Sequence, residues 1–363
     1  MNGDIFVIEC KPFLEVDFNI AATLVESRFG DGAVRQLERI RQNPMRQVCA
    51  EMGDIAYEDG VPASFQACIL RRLFWRDSQI VGRVGGMTCS SATASEAAYI
   101  DVACAAQKPR GGCRMAFSNS QNEKSAVVSR KLKSEHLGPV STTRYLWRAI
   151  RPLECLMYFV RRKLLKKGLP NWNRFSTLPS VDWEWQDRQV DVRRMSAVSP
   201  EFFDVLMKRY VTTNRGLVSS RTAEEIEWIW GDRIKSGEAV VLGAFENEEP
   251  VGYILLKSNE AAKRWVVHDW FALGNDEDRL EVLIRAALRF LKTKTPAMMF
   301  EVEGFPTWVQ PLLKRYFPHV REIGHNQFSW KSKDKELRVA LEQVIDSRDS
   351  WFFGPYDGDE CMS

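Results

Sequence analysis

The stretch Cys113–Leu132, CRMAFSNSQNEKSAVVSRKL, decides how the rest of the chain is read. Cys113–Ser118 reads as a short strand, Asn119 and Asn122 fall in a turn, and Glu123–Lys133 reads as a helix. From Asn122 to Leu132 the spacing is N-x-x-S-x-x-V-S-x-K-L.

Upstream, Phe13–Phe29 and Gly32–Gln42 have helical character. Strand-like runs follow at Met45–Tyr57 and Ser64–Trp75, separated by Glu58, Asp59, Gly60 and Pro62. Gln79–Thr88 is a third, Gly-containing strand. Ser95–Gln107 reads as a helix because Tyr99, Val102, Ala103 and Ala106 recur at i, i+3, i+4, i+7, with Ser95 or Thr93 as the cap. Downstream the same grammar returns: helices at Pro200–Tyr210 and Ala223–Ser236, a hairpin of Ala239–Glu246 with Val251–Lys257, and a strand at Arg264–Phe271. An amphipathic helix at Asp276–Thr293, a strand at Ala297–Val302 and a helix at Thr307–Tyr316 complete it. Periodicity alone gives a mixed α/β chain with two similar halves.

The Asn122–Leu132 spacing resembles the end of the cofactor module in the GNAT acyl-CoA N-acyltransferase superfamily, commonly written N-x-x-A-x-x-L-Y-x-K-L-G-F. Ser129 then stands where that family has its catalytic tyrosine, and Lys133 where it has glycine. The order helix, helix, hairpin, strand, helix, strand, helix is also the family's order. The resemblance implies two tandem GNAT-like lobes of α/β (mixed-sheet) class. The N-terminal lobe spans residues 1–145, a basic connector 146–191, the C-terminal lobe 192–335, and a helix with an aromatic and acidic tail 336–363.

In such a lobe the pantetheine arm of acyl-CoA lies along a splayed strand, and the pyrophosphate meets the N–H groups opening the next helix, where the helix dipole favours an anion. The family's V-x-P-x-x-R/Q-G-x-G/A is represented here by Cys89–Ala97, CSSATASEA, with Ala94 for the Arg/Gln and Ser95 for the first Gly. The resemblance implies cofactor contacts from Gly86, Met87 and Thr88, from Ser91, Thr93 and Ser95, and from Asn122. Backbone N–H groups near Gly86–Thr88 would stabilise the oxyanion formed when an amine attacks the thioester. Ser129 would have to position a water for the leaving thiolate; a thiol pKa of about 8.5 also lets the thiolate leave unprotonated. The equivalent loop in the second half, Ala272–Asp278, carries Asp276, Glu277 and Asp278, which suit a helix N-terminus but repel pyrophosphate. That lobe is expected to supply acceptor-side residues, with His268 and Asp269 as the candidates. Strict strand alternation points these two to opposite faces.

Bulk properties bound the function. The chain has 363 residues, 45% apolar and 27% charged, with a formal charge of +3, too small to argue for nucleic acid. The beginning, MNGDIFVIECKPFLEVDF, does not read as a signal peptide. Eight cysteines lack any C-x-x-C pair and read as reduced, buried hydrophobes. Four histidines lack metal-ligand spacing, so no metal is expected. The tail places Trp351, Phe352 and Phe353 before Asp357, Asp359 and Glu360; docked aromatics and solvated acids are the simpler reading. Within the connector, residues 147–167 are both basic and apolar, which reads either as a helix packed across the lobes or as a peripheral membrane-surface helix.

The leading expectation is an acyl-CoA-dependent N-acyltransferase, cytoplasmic or peripheral at the inner membrane face. It uses acetyl-CoA or another acyl-CoA and an amine of a small molecule, sugar or peptide bound between the lobes. A Fem-type aminoacyl transferase fits less well, for want of charge and of a coiled-coil insertion. The alternative class is a catalytically inactive tandem scaffold, for example in envelope or polysaccharide biosynthesis. Acceptor, acyl length and oligomeric state stay open at this point.

Overall fold

The computed structural model describes residues 7–76, 78–120, 128, 131, 135–136, 141–163, 182–214, 216–259, 263–303, 307–342, 351–352 and 356. The chain opens with strand β1 (Ile8–Phe13), helix α1 (Phe18–Phe29) and helix α2 (Asp31–Arg41). The helix expected from Phe13 therefore starts five residues later, because the stretch before it pairs with β2 (Gly53–Glu58), Phe13 opposite Gly53. Likewise the strand expected from Met45 begins only at Gly53. Asn43 caps a short 3-10 turn at Pro44–Gln47: its side chain accepts from Met45 N at 2.8 Å and donates to Leu70 O at 2.9 Å.

Strand β2 turns through Asp59 and Gly60, both with positive φ, into β3 (Val61–Trp75). Two residues of left-handed backbone make the tight hairpin turn that an Asp-Gly pair favours. Strand β4 (Ser78–Ser90), helix α3 (Glu96–Ala106) and strand β5 (Met115–Ser120) follow. The short β6 (Glu135–His136), β7 (Ser141–Ala149) and α4 (Pro152–Lys163) lead out of this half. Pro152 occupies the first helical position, where its missing N–H has no intrahelical acceptor to lose.

The second half comprises β8 (Glu184–Asp187), β9 (Val190–Met195), α5 (Pro200–Thr213), β10 (Leu217–Ser219) and α6 (Ala223–Ser236). It continues with β11 (Ala239–Glu246), β12 (Glu249–Asn259), β13 (Arg264–Ala272), α7 (Glu277–Lys294) and β14 (Met299–Glu303). Helix α8 (Gln310–Tyr316), β15 (His319–Ser332), α9 (Lys335–Glu342) and β16 (Trp351–Phe352) close it. Helix α7 shows how local sequence sets an element. Asp276 caps it through Asp278 N (2.8 Å) and Arg279 N (3.1 Å), and Lys292 and Lys294 sit in its last turn. Leu280, Leu283, Ile284, Ala287, Phe290 and Leu291 bury its inner face against the sheet. Each of the large ones contributes roughly 1.5–3 kcal/mol of burial.

The strands run in the order β1-β2-β3-β4-β5-β15-β7-β14-β13-β12-β11-β9-β8. The two halves exchange their closing strands at the centre. β7, from the first half, pairs with β14 of the second, Tyr145 opposite Glu303. β15, from the second half, pairs with β7 along His319–Asn326 and then crosses to β5 along Gln327–Ser332. The boundary expected at residue 145 thus falls inside a strand that belongs to the second lobe's sheet.

A second contact joins the lobes through β10, which pairs antiparallel with β3 (Val218 opposite Phe74) and parallel with β16. Tyr356 is fully buried there. Its hydroxyl donates to Ser220 O (3.0 Å), its carbonyl accepts from Arg71 Nη2 (2.8 Å), and the Arg71 and Arg221 guanidinium groups lie 4.9 and 4.6 Å from its ring. Arg72 bonds Glu224 across the same seam at 3.1 Å, and Trp228 Nε1 donates to Arg39 O at 2.7 Å. In the tail the backbone of Trp351 and Phe352 pairs with β10 and Tyr356 is buried; Phe353, Asp357, Asp359 and Glu360 lie outside the described residues.

Candidate active site

Strands β4 and β5 are parallel neighbours for only three pairs, Gly82–Met115, Arg83–Ala116 and Val84–Phe117. β5 pairs with β15 along its whole length, Met115–Ser120, while β4 continues past Val84 to Ser90 paired with β3 alone among the described residues. Beyond Val84 no pair joins the two strands among the described residues, and this wedge-like break in the ladder has the backbone of Gly85–Ser90 along one side. Arg83, at its root, is fully buried and held by Glu51 Oε2 at 2.9 Å and by the Cys68 thiol at 3.2 Å. A buried guanidinium with fixed partners keeps the closed end rigid.

The β4 wall carries a bulge. Gly85 opposes Cys68 and Thr88 opposes Gln66, so Gly86 and Met87 together face Ala67. A bulge breaks the ladder and re-aims the local N–H and C=O groups. Gly85 permits close packing here: an added Cβ would lie 2.8 Å from Gln66 Nε2 and 3.3 Å from Gln107 Cγ. Gln66 is buried, and its Oε1 has no hydrogen-bond partner among the described residues. Neither glutamine stood out in the sequence, because their only signal is proximity across β3 and the end of α3.

The turn after β4 contains Ser91, whose N–H donates to Ala63 O at 2.8 Å and whose hydroxyl lies 3.3 Å from that of Thr93. Ser95 caps α3, accepting from Ala98 N at 3.1 Å, as the sequence led one to expect. An additional group is present. Glu58, at the tip of the β2–β3 hairpin, accepts from Ser95 N at 3.0 and 3.3 Å and also from the Ser95 hydroxyl. The helix N-terminus read as a phosphate cradle therefore already holds a carboxylate from 37 residues away. Buried Cys89 is no nucleophile, since burial pushes its thiol up to about 12.

Asn122 and Ser129 lie outside the described residues, so their expected contacts have no geometry to report. Of the segment expected to form the helix Glu123–Lys133, Val128 is buried and Lys131 bonds Asp101 at 2.7 Å. His268 and Asp269 sit on β13, five strand positions from β4 in the sheet order. There the second lobe repeats the first. β13 and β14 are parallel for three pairs ending at Val266–Glu301, and a bulge follows immediately, Leu255 opposing Asp269 and Leu256 opposing Val267. His268 is the extra residue.

The bulge overrides strict alternation. His268 and Asp269 both reach the side covered by α6: the imidazole lies 5.2 Å from the Trp230 ring, and Asp269 pairs with Arg221, which leads into that helix. Asp269 accepts from Arg221 Nε (2.9 Å), Arg221 Nη2 (3.1 Å) and the Tyr253 hydroxyl, and both members of the ion pair are buried. Burial, helped by the charges of Lys257 and Arg233, pulls His268 down to about 3. It is a neutral packed side chain at ordinary pH, and Asp269 is committed to Arg221. On α6, near Arg71 and Arg72, burial pushes the Glu225 carboxyl up to about 7. No group of three or more His, Cys, Asp or Glu among the described residues could hold a metal ion.

No protein-family model and no curated sequence matches the chain. Its fold does match solved structures. A GCN5-related N-acetyltransferase from Kribbella flavida aligns with a TM-score of 0.56 at 10% identity, over 93% of this chain and 73% of that one. One from Anabaena variabilis aligns at 0.54 and 9%, over 93% and 75%. Saccharomyces cerevisiae N-myristoyltransferase, solved with bound myristoyl-CoA, aligns at 0.54 and 14%, over 90% and 79%. The chain thus has the two-lobe GNAT-type acyl-CoA N-acyltransferase fold that the Asn122–Leu132 spacing and the order of elements implied.

Proposed function

We propose that the protein is an acyl-CoA-dependent N-acyltransferase whose acyl-CoA occupies the β4–β5 wedge of the first lobe. The observation that carries this reading is the wedge itself: parallel pairing that ends after three residues, a bulge at Gly86–Met87, and a capped helix directly after the strand. An extended pantetheine arm can pair with the unmatched edge of β4 as an added strand does. Backbone N–H groups at Gly86, Met87 and Thr88 are the proposed donors to the thioester oxygen, whose negative charge grows as an amine attacks the carbonyl carbon. The N–C bond forms, the C–S bond breaks, and the amine's surplus proton passes through solvent water to the departing CoA thiolate, giving the amide and the free thiol. In this proposal Asn122 holds the arm, Ser129 serves the thiolate through a water, and Ser91, Thr93 and Ser95 meet the pyrophosphate. His268 and Asp269 are left out, because a neutral packed imidazole and a carboxylate held by arginine are poor proton acceptors. The acceptor amine, of a small molecule, sugar or peptide, would enter between the lobes.

A second reading has its own support. The Glu58 carboxylate on Ser95, together with the missing R/Q-G sequence, fits a scaffold that has ceased to bind acyl-CoA. Thermal unfolding separates the two. Millimolar acetyl-CoA or myristoyl-CoA should raise the melting temperature by ligand linkage, and Ser95→Ala should diminish the shift. No shift with either thioester overturns the enzyme reading and leaves the scaffold.

A further inference from the structure

Helix α4 is fastened to the protein by one face and presents an apolar stripe on the other. Inward, the Cys155 thiol donates to Met298 O at 3.2 Å, Tyr158 is buried, and the Phe159 ring lies 6.1 Å from that of Trp147. Outward, Leu153 is 77% exposed, Leu156 60%, Met157 57% and Val160 37%. These positions follow i, i+3, i+4, i+7, so they share one side of the helix. Scattered exposed apolar residues are ordinary, but four in one stripe on a single helix mark an interaction surface.

Charge identifies the occupant. From Arg144 to Lys167 the chain carries eight basic residues (Arg144, Arg148, Arg151, Arg161, Arg162, Lys163, Lys166, Lys167) against one acid, Glu154. Glu154 itself is answered by Lys263 at 3.8 Å and Arg151 at 3.9 Å. Arg161, exposed, adjoins the stripe on the next position. An aliphatic stripe on a segment of such basic sequence, with Arg161 exposed beside it, fits the headgroup–acyl boundary of an anionic bilayer, where apolar side chains enter the apolar edge and cations meet lipid phosphates. No helix among the described residues is long and apolar enough to cross a membrane, so the contact is with the surface.

We propose that α4 is a membrane-surface anchor that docks the protein on anionic phospholipid through Leu153, Leu156, Met157 and Val160. The four side chains are none of those assigned to acyl-CoA, so the proposal holds for the enzyme and scaffold readings alike.

Co-sedimentation of the full chain with vesicles tests it. Vesicles of equal parts phosphatidylcholine and phosphatidylglycerol should retain the protein, and pure phosphatidylcholine should retain it far less, since each basic residue near an anionic surface is worth roughly fivefold in partitioning. Raising the salt should release it. The double variant Leu156→Glu/Met157→Glu should lower partitioning on the order of tenfold or more. Both side chains are exposed, so its melting temperature should match the wild type. Arg161→Gln, conservative for the fold, should give a smaller loss confined to the anionic vesicles. Absence of binding to the mixed vesicles overturns the proposal. So does equal retention by both vesicle types, or a concentration-dependent dimer that Leu156→Glu/Met157→Glu dissociates while neither vesicle binds.

Discussion

Removing Glu58 should tighten the binding of coenzyme A. Its carboxylate accepts from the Ser95 N–H at 3.0 and 3.3 Å at the start of α3, where the cradle reading places a pyrophosphate. A hydrogen bond to a charged group contributes about 1.5–3 kcal/mol. Part of that returns when the displaced, partly exposed carboxylate is hydrated again. The remaining barrier to an incoming phosphate is on the order of 1–2 kcal/mol, and 1.4 kcal/mol is tenfold in affinity. Glu58→Ala should therefore bind coenzyme A about 5- to 30-fold more tightly than the wild type. Glu58→Gln should fall between them, because an amide oxygen still accepts from Ser95 but carries no charge. Without ligand, Glu58→Ala should be slightly less stable, having lost a partner of the helix start. Isothermal titration of the three proteins with coenzyme A at low salt measures this directly. Equal dissociation constants for wild type and Glu58→Ala would refute the idea that the carboxylate and the phosphate compete. Failure of all three to bind would instead remove the acyl-CoA reading itself.

Two further expectations concern the second lobe. Asp269→Ala removes the carboxylate that pairs with buried Arg221 and should destabilise the fold by about 3–5 kcal/mol in urea unfolding; a loss under about 1 kcal/mol contradicts the buried pair. The His268 imidazole, held near 3, should stay neutral in an NMR titration from pH 8 down to the onset of acid unfolding, and a midpoint close to the ordinary 6.5 contradicts its burial. Because the folded value lies below the unfolded one, the stability that the neutral ring provides is complete above pH 6.5. It is lost as pH falls from there toward 3, and His268→Gln should remove that component of acid sensitivity.

Local sequence determined much of this protein. Ala223–Ser236 and Ala239–Glu246 have the bounds that their periodicity and flanking turns predict, and Ser95 caps its helix. Such elements are written in neighbouring residues: a 3.6-residue or 2-residue apolar repeat, a cap and a stop. The segment from Asn122 to Leu132 pointed to the fold through spacing alone, although most of it lies outside the described residues.

Tertiary structure decided what depends on residues far apart in the chain. β1, of which only Phe13 falls within an expected helix, is set by its pairing with β2. β15, with the mixed and partly charged HVREIGHNQFSWKS, was assigned no element, yet it crosses between the two sheets. The bulges at Gly86–Met87 and His268 arise from register against β3 and β12, which no single strand encodes. They are also why alternation failed for His268 and Asp269. Glu58 could be read only as a turn residue, because its role depends on a helix 37 residues away. Local preference determined which elements form and in what order. Long-range pairing decided which strand completes which lobe, where the wedge opens and which charge already lies at its mouth.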